Sequence, residues 1–354
     1  MADLRQTLKL VVEQGATLSR DEARGLITAI LAPPENEAAV TDLEIAALLT
    51  ALAVRGETVD ELTGVAEAMR TLAIPLPLTE DERATLVDTC GTGGDGLGTF
   101  NISTAAALVA VASGARIAKH GNRAITSQCG SADVLEALGI SVTLAPEEAV
   151  ACLRATGFMF LYAPALHPAL KRVQPVRRAL GFRTIFNLAG PLTNPAGAPA
   201  QIMGVYSETK LMLAAEAMAR LGIHFGLVAH GRNGMDEIAL SATDAVLVSG
   251  GKGHPSVSRV KYTPEMFGMK RAVVRDLTGC ASPAENAAIL ERIFAGEPGP
   301  KRNIVVINAA AALYVGRVAD SLEEGVQRAA EAIDSGAVSN KLNQLQEFAK
   351  SSKS

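Results

Sequence analysis

The sequence of 354 residues contains 48% hydrophobic and 20% charged residues, which is typical of a folded globular protein and excludes a mainly disordered chain. Its 33 basic and 37 acidic side chains leave a formal net charge of −4, which disfavours a general nucleic-acid-binding surface. The sequence has no apolar run of about 18 residues that would span a membrane, and its N-terminus has no apolar signal core. We therefore expect a cytoplasmic protein without nucleic-acid or membrane partners.

Three capping boxes mark helix starts near the N-terminus. In such a box, a hydroxyl side chain and a glutamate three residues later satisfy two free backbone N–H groups reciprocally. Apolar residues at helical spacing follow each box, so these 72 residues predict a small helical bundle that ends near Ile74-Pro-Leu-Pro. The boxes are Ser19-x-x-Glu22, Thr41-x-x-Glu44 and Thr58-x-x-Glu61.

Short apolar runs alternate with helical stretches in the remainder of the chain. This alternation predicts an α/β domain with a central, mostly parallel sheet that is covered by helices on both faces. Helices are expected at 105–113 and 132–138, and a last clear helix carries Leu322 to Ile333 and stops at Gly336. The polar tail from Lys341 is expected to fray. The predicted strands are Thr85–Asp88, Arg116–Ala118, Gly226–Ala229, Ala245–Ser249 and Ile304–Ile307.

The segment DTCGTGGDGLGTFNIST, from Asp88 to Thr104, is the densest glycine loop of the sequence. It satisfies the dinucleotide-binding spacing G-x-G-x-x-G, but the acidic residue needed about 20 positions later is replaced by a basic stretch, 116–123. A P-loop is also a poor match, because no Gly-Lys-[Ser/Thr] closes the loop. The remaining interpretations are another kind of phosphate cradle or a surface turn.

Several features of this loop favour the phosphate cradle. Glycines let backbone N–H groups approach an anion, and Asn101, Ser103 and Thr104 stand where a helix N-terminus would add further donors. Asp95 would repel a phosphate unless it binds sugar hydroxyls or a divalent cation bridges it to the phosphates. The loop therefore indicates a ligand that carries both a sugar and phosphate.

A basic stretch and a second small-residue loop follow. We expect Lys119 and Arg123 to neutralise a second phosphate group, and the small-residue loop to precede a helix that starts near Ala132. Two anion sites suit a ligand with more than one phosphate group. The stretch also contains His120 and Asn122, and the loop contains Ser127, Gly130 and Ser131.

Two further segments contain candidate residues for binding a metal ion or an anionic co-substrate. Asp236 and Glu237 follow an apolar strand, and adjacent carboxylates at a strand end suit Mg²⁺ that bridges to substrate phosphates. His167, Arg177 and Arg178 are candidates for recognising an anionic co-substrate, although a solvated helix face is the alternative for the two arginines. The segment 190–195, GPLTNP, predicts a rigid structural turn.

Taken together, the motifs GTGGDGLGTFNIST, KHGNR, GSADVLEALG, VRRALGFRTIFNLAGPLTNPAG, GMDEI and NAAAALYV make the chain resemble the anthranilate phosphoribosyltransferase family. They occur in the family's order between about residues 85 and 320. The resemblance implies transfer of the 5-phosphoribosyl group from 5-phosphoribosyl 1-pyrophosphate to the amine of anthranilate, with release of pyrophosphate, in tryptophan biosynthesis. It also implies a homodimer joined through the helical domain.

The resemblance further implies site residues. Lys119 would stabilise charge electrostatically, and His120 would position the acceptor in preference to acting as a base. Two Mg²⁺ ions are expected, one shared by Ser103 and one held by Asp236 and Glu237. Anthranilate would contact Gly91, His120, Asn122, His167 and Arg177. Phosphoribosyl pyrophosphate would contact Gly91, Gly94, Asp95, Thr99, Asn101, Ser103, Thr104, Lys119 and Ser131.

The family's organisation implies a helical domain of residues 1–72, joined by about 167–182, and an α/β domain of 73–166 and 183–354. The chain departs from the family pattern in the second loop. There, Gln128 removes an expected positive charge and Cys129 replaces a hydroxyl group.

Two alternatives remain at this point. A pyrimidine nucleoside phosphorylase has a similar architecture, but KHGNR and the VR-x-x-LG block favour the transferase. A non-catalytic relative that binds nucleic acid is disfavoured by the acidic charge balance.

Overall fold

The computed structural model describes residues 4–32, 40–124, 129–250 and 256–352. Within these ranges the chain forms sixteen α-helices and seven β-strands, joined in places by short 3₁₀ turns. The helices are α1 Leu4–Gln14, α2 Arg20–Leu31, α3 Asp42–Arg55, α4 Val59–Thr71, α5 Glu80–Ala84, α6 Ile102–Ala112, α7 Ser131–Ala137, α8 Pro146–Thr156, α9 Ala163–Leu166, α10 Gln174–Leu180, α11 Ile185–Ala189, α12 Leu211–Arg220, α13 Pro283–Phe294, α14 Pro300–Val315, α15 Leu322–Asp334 and α16 Ala337–Ser351. The strands are β1 Leu86–Asp88, β2 Arg116–Gly121, β3 Phe158–Tyr162, β4 Ala200–Gly204, β5 Phe225–Gly231, β6 Thr243–Ser249 and β7 Ser256–Tyr262.

The first four helices form the predicted bundle. All three predicted capping boxes are present with both reciprocal hydrogen bonds, at the starts of α2, α3 and α4. Their apolar faces share one core, to which Val173 and Val176, close to and within α10, also belong. The segment after β3 therefore returns to the bundle and packs against it.

The seven strands form one sheet in the order β3-β2-β1-β4-β5-β6-β7. The first five in this order are parallel, and β6 and β7 are antiparallel additions. The chain runs outward from β1 to β3 and then returns to place β4 on the other side of β1. In open α/β sheets such a reversal leaves a crevice at the carboxyl ends of the two strands, where ligands bind.

Alternate residues of the strands enter different cores, as the two-residue period of a strand requires. Leu227 and Ala229 of β5 pack with helices α6 and α14, whereas Val228 between them packs with the core of the helical bundle and α12. The sheet is thus covered on both faces, and the fold class predicted from the sequence is confirmed.

Two local predictions are wrong. Ile304–Ile307, expected as a strand, lies inside helix α14, because Pro300 starts a helix of 16 residues, which is too long for a strand. The tail does not fray but forms α16, which begins after Gly336 and buries one apolar stripe. That stripe consists of Val338, Leu342, Leu345 and Ala349 at helical spacing, although most of the other residues are polar.

None of the helices within the described ranges is long and apolar enough to cross a membrane.

Candidate active site

The predicted motifs converge at the carboxyl ends of the parallel strands. The glycine loop follows β1, the stretch 119–123 ends β2, and the loop with Asp236 and Glu237 follows β5. Gly204 ends β4, the neighbour of β1 across the reversal of strand order. Segments far apart in sequence therefore meet at one edge of the sheet, where a ligand is expected.

The glycine loop is held against β4 by its backbone. The N–H of Thr92 donates to the carbonyl oxygen of Gly204 at 2.9 Å. A β carbon on Gly91 would lie 3.2 Å from the backbone nitrogen of Gly204, so a larger residue at 91 would crowd this contact. Gly93 and Gly94 have φ angles of +63° and +74°, a conformation that favours glycine. Glycine is thus required both for contact and for the loop's shape.

Asp95 faces the adjacent carboxylates of the β5–β6 loop. Its Oδ1 accepts a hydrogen bond from the N–H of Leu97 at 3.0 Å, and its buried Oδ2 has no hydrogen-bond partner in the described parts of the chain. Burial raises the pKa of both Asp236 and Glu237, and each carboxyl is further raised by neighbouring carboxylates, Asp95 among them. The cluster carries more negative charge than its surroundings neutralise.

This cluster fits a divalent cation, because hard carboxylate oxygens that repel one another are stabilised by one. The described residues contain no group of three His, Cys, Asp or Glu side chains already arranged as a metal site. The unpartnered oxygen of Asp95 and the raised pKa values of Asp236 and Glu237 are the observations that indicate cation binding.

Lys119 is the buried cation of the site. Its Nζ lies 3.2 Å from both the carbonyl oxygen and Oγ1 of Thr89, and 3.3 Å from Oγ of Ser103. The N–H of Ser103, in the first turn of α6, donates to Oε1 of Glu237 at 3.1 Å. Burial lowers the pKa of Lys119, and Cys90, Asp88 and Glu237 oppose that effect. The start of α6 therefore brings a cation and a carboxylate together.

Arg123, at the end of the basic stretch, makes contacts other than those predicted for it. Arg123 was expected to neutralise phosphate, but its guanidinium pairs with Glu136 at 2.6 Å and with Asp133 at 3.1 Å. Asp133 also accepts hydrogen bonds from the N–H groups of Ala124 and Gly130. Arg123 is therefore committed to fixing the second loop, and the expectation is wrong because carboxylates of α7 lie within its reach.

The second loop is joined by one contact to the basic stretch and by another to the glycine-loop motif. Oγ of Ser131 donates to the carbonyl oxygen of Asn122 at 3.2 Å, and Nδ2 of Asn101 donates to the carbonyl oxygen of Cys129 at 3.0 Å. Oδ1 of Asn101 is buried and has no partner in the described ranges. Ser127 and Gln128 lie outside the described residues.

Two further residues predicted to contact phosphoribosyl pyrophosphate, Thr99 and Thr104, belong to the segment of the glycine loop and the start of α6. Thr104 follows Ser103 in the first turn of α6 and is buried. Thr99 forms an isolated antiparallel bridge with Thr278, which fixes the outer end of the glycine loop.

Two buried histidines lie beside this cleft. The rings of His120 and His167 are 5.1 Å apart, and Nε2 of each has no hydrogen-bond partner within the described residues. Burial lowers the pKa of His120 to about 3, with His167 adding to the effect, and burial lowers the pKa of His167 to about 4. Both rings are therefore neutral near pH 7. The backbone N–H of His120 donates to Oδ1 of the buried Asp88 at 3.2 Å.

Arg177 and Arg178 differ although they are adjacent on α10. Arg177 is half-buried over the ring of Phe186, 5.5 Å from its centroid, and burial lowers its pKa. Arg178 is exposed. In the described parts of the chain Arg177 makes no ion pair, so its charge is available to an anion. Arg178 instead lies on a solvated helix face, which was the alternative given from the sequence.

The segment 190–195 forms the expected tight turn, in which Oγ1 of Thr193 donates to the carbonyl oxygen of Gly190 at 2.7 Å.

Comparisons with known proteins agree with the fold described above. The sequence pattern of the family described as "Glycosyl transferase family, a/b domain" matches residues 83–339, and that of its helical bundle domain matches residues 5–73. The chain is 48% identical to anthranilate phosphoribosyltransferase of Solibacter usitatus over 99% of this chain and 100% of that one. It is 44% identical to the same enzyme of Acetivibrio thermocellus, over 98% and 97% of the two chains.

The chain belongs to the anthranilate phosphoribosyltransferase family. Solved structures of this family are similar to the structure of this chain over nearly its whole length. The enzyme of Thermus thermophilus superposes with a TM-score of 0.87 at 43% identity, covering 97% of this chain and 99% of that one. The Saccharomyces cerevisiae enzyme in complex with PRPP and Mg has a TM-score of 0.85 at 26% identity, with 98% of each chain covered.

Sequence reasoning missed several residues that shape the site of this anthranilate phosphoribosyltransferase family member. Asp88 and Thr89 orient His120 and Lys119, yet nothing in their local pattern distinguishes them from strand residues. Gly204 was missed because its constraint comes from partners that are distant in sequence. Arg183, whose Nη2 donates to the carbonyl oxygen of Gly94, lies in the quoted motif RTIFN but was given no role.

Proposed function

We propose that this chain transfers the 5-phosphoribosyl group from 5-phosphoribosyl 1-pyrophosphate to the amine of anthranilate, giving N-(5-phosphoribosyl)anthranilate and pyrophosphate in tryptophan biosynthesis. The observation that carries the proposal is the meeting of the glycine loop, the buried Lys119 and the Asp236–Glu237 carboxylates at one sheet edge. Relatives at 44 to 48% identity over nearly the whole chain are named for this reaction.

The donor occupies the glycine loop and the start of α6. Backbone N–H groups, Lys119 and the helix N-terminus stabilise the negative charge that develops on the departing pyrophosphate. The residues proposed to contact the donor are Gly91, Gly94, Asp95, Thr99, Asn101, Ser103, Thr104, Lys119 and Ser131.

Magnesium ions fit the carboxylate cluster, and the Saccharomyces cerevisiae relative is described in complex with PRPP and Mg. We place two ions at this site, one at Ser103 and one at Asp236 and Glu237. Asp236 and Glu237 would hold Mg²⁺, and the ion would supply positive charge that stabilises the departing pyrophosphate. The chain contributes the oriented carboxylates, and the N–H of Ser103 holds Glu237 in place.

The acceptor lies between the histidine pair and Arg177, with Asn122 and Gly91 completing the pocket. The Arg177 guanidinium binds the anthranilate carboxylate, because a half-buried cation without an ion-pair partner in the described ranges recognises an anion strongly. The neutral rings of His120 and His167 orient the aromatic ring of the acceptor. The aromatic amine is already a neutral nucleophile, so catalysis consists mainly of positioning and electrostatic stabilisation.

The helical domain of 1–72 with the joining segment 167–182 and the α/β domain of 73–166 and 183–354 form the two parts around the site. The bundle also carries exposed large apolar side chains on α1 and α3, which are Leu10, Val12, Leu43 and Val54. Such side chains favour a protein partner over water, and we assign them to a homodimer. Analytical ultracentrifugation of the wild type and of a Leu43→Glu, Val54→Glu variant tests this, and a wild-type monomer at micromolar concentration would contradict it.

The reaction is tested by following the fluorescence of anthranilate with phosphoribosyl pyrophosphate and Mg²⁺. Loss of fluorescence that requires both the donor and Mg²⁺ supports the proposal. An Asp236→Asn variant is expected to lose this activity and to remain folded. A wild type that binds the donor but leaves anthranilate unchanged would refute the acceptor assignment, and one that does not bind the donor would refute the function.

A further inference from the structure

Arg183 connects three parts of the molecule. It follows the joining segment, its Nη2 donates to the carbonyl oxygen of Gly94 in the glycine loop, and its guanidinium lies over the ring of Tyr206, 4.2 Å from the ring centroid. Tyr206 comes two residues after the end of β4. One side chain therefore joins the donor loop to the end of a central strand.

The contact with Gly94 determines the direction of a peptide unit. The peptide bond between Gly94 and Asp95 is planar and trans, so its carbonyl oxygen and the N–H of Asp95 point in opposite directions. While Arg183 holds the carbonyl, this N–H points away from the guanidinium. Gly94 has no side chain to restrain its ψ angle, so the contact with Arg183 is what fixes the direction of this peptide on the Gly94 side. A flipped peptide would turn a carbonyl oxygen toward an anion in place of a donor.

The position of Arg183 is itself restrained by Tyr206 and the helical bundle. Tyr206 is half-buried against the core that the bundle shares with the sheet. Burial raises the pKa of Tyr206, the nearby Glu57 adds to this, and Arg183 opposes it. Glu57 lies between α3 and α4 and pairs with Lys210 at 2.6 Å, on the chain segment just after Tyr206. The bundle, Tyr206 and Arg183 are thus in one continuous set of contacts.

We propose that Arg183 is a positioning residue that fixes the Gly94–Asp95 peptide with its N–H available to a donor phosphate, and that the ring of Tyr206 holds Arg183 in place. This inference rests on the proposed function, since it concerns how the same donor is bound. Arg183 acts through the loop backbone, and Tyr206 acts through Arg183.

Steady-state kinetics of Arg183→Ala, Tyr206→Leu, Tyr206→Phe and the Arg183→Ala, Tyr206→Leu double variant test the proposal. Loss of a charge-assisted hydrogen bond is expected to raise the KM for phosphoribosyl pyrophosphate about tenfold in Arg183→Ala, with a smaller change in kcat and in the KM for anthranilate. Tyr206→Leu removes the ring and is expected to raise the same KM about threefold. Tyr206→Phe keeps the ring and is expected to match the wild type.

The double variant separates positioning from direct binding. If Tyr206 acts through Arg183, the double variant is no worse than Arg183→Ala alone, because the effects of coupled residues do not add. The proposal would be overturned if the KM increases of the two single variants multiplied in the double variant. It would also be overturned if Arg183→Ala left the KM for phosphoribosyl pyrophosphate unchanged, or if Tyr206→Leu had the same KM as the wild type. Thermal unfolding of each variant shows whether a KM change reflects a damaged fold, and a general loss of stability that tracks the KM change would also count against it. An inactive wild type would instead refute the proposed function.

Discussion

Gly204 and Asp236 lie in direct backbone contact, so close that a β carbon on Gly204 would stand 1.5 Å from the carbonyl oxygen of Asp236. The end of β4 thereby sets the position of the loop that carries both carboxylates. Gly204→Ala must displace that loop, and overpacking of this kind costs about 1 to 3 kcal/mol of unfolding free energy. We expect a large loss of Mg²⁺-dependent activity, measured by anthranilate fluorescence, together with a lower thermal unfolding midpoint.

Gly25→Ala is the matched control. Gly25 is exposed in α2, and a β carbon there would meet no atom within 4 Å. Because alanine favours a helix over glycine by about 1 kcal/mol, this variant should keep full activity and gain slightly in stability. Equal activity of Gly204→Ala and Gly25→Ala would refute the role given to the β4 contact.

The carboxylate cluster predicts an inverse relation between stability and activity. In Glu237→Gln, the amide oxygen still accepts from the N–H of Ser103, while the repulsion with Asp236 and Asp95 is removed. Without Mg²⁺ this variant should unfold at a higher temperature than the wild type. Mg²⁺ should stabilise the wild type by mass action and have a much smaller effect on the variant, which should also be less active.

Differential scanning fluorimetry with and without Mg²⁺ measures both effects. Asp81→Asn, at an exposed carboxylate in α5, serves as the control and should respond to Mg²⁺ as the wild type does. A Glu237→Gln variant that is destabilised in the absence of Mg²⁺ would contradict the interpretation of this cluster.

Local signals in the sequence predicted local structure well. A capping box is contained within four residues, so the starts of α2, α3 and α4 follow from the sequence alone. Apolar periodicity was less decisive for α14 and α16, because one is apolar on nearly every side and the other is mostly polar. The helix start at Pro300 and the spacing of Val338, Leu342, Leu345 and Ala349 are the weaker local signals that distinguish these two helices from a strand and a frayed tail.

The residues of the candidate site also divide into those that local sequence signals predicted and those that only the folded structure reveals. Glycines, Lys119 and the paired carboxylates were found because residue type and spacing point to phosphate and cation chemistry. The pairing of Arg123 with Glu136 was not foreseen, since it depends on how α7 is oriented relative to β2. The contact of Gly204 with Asp236 and that of Arg183 with Gly94 likewise follow only from the folded arrangement of distant segments.

Arg177 and its neighbour offer a matched pair for the acceptor. Arg177→Ala removes a half-buried cation and should raise the KM for anthranilate by about tenfold or more, since a hydrogen bond to a charged group contributes about 1.5 to 3 kcal/mol. The KM for phosphoribosyl pyrophosphate should change far less. Arg178→Ala removes an exposed cation from the same helix and should leave both constants near wild type. Equal effects of the two substitutions would show that Arg177 contributes only general positive charge.

The buried histidine pair predicts how stability depends on pH. Burial lowers the pKa of His167 from 6.5 to about 4, so below pH 6.5 the unfolded chain binds a proton that the folded chain does not. The stability this histidine contributes is complete above pH 6.5 and is lost as the pH falls toward 4, which amounts to roughly 2 kcal/mol at pH 5. Asparagine at 167 cannot take up that proton.

Chemical denaturation of the wild type and His167→Asn at pH 7 and pH 5 measures this difference. The wild type should lose more unfolding free energy than the variant between the two pH values, whatever the variant's stability at pH 7, because the comparison removes all groups common to both proteins. His120 stays buried in the variant, and burial still lowers its pKa although the contribution of His167 is gone, so part of the acid sensitivity should remain. Identical losses in the two proteins would show that His167 is protonated as readily in the folded state as in the unfolded chain, and that its ring does not present a neutral surface to the acceptor below pH 6.5.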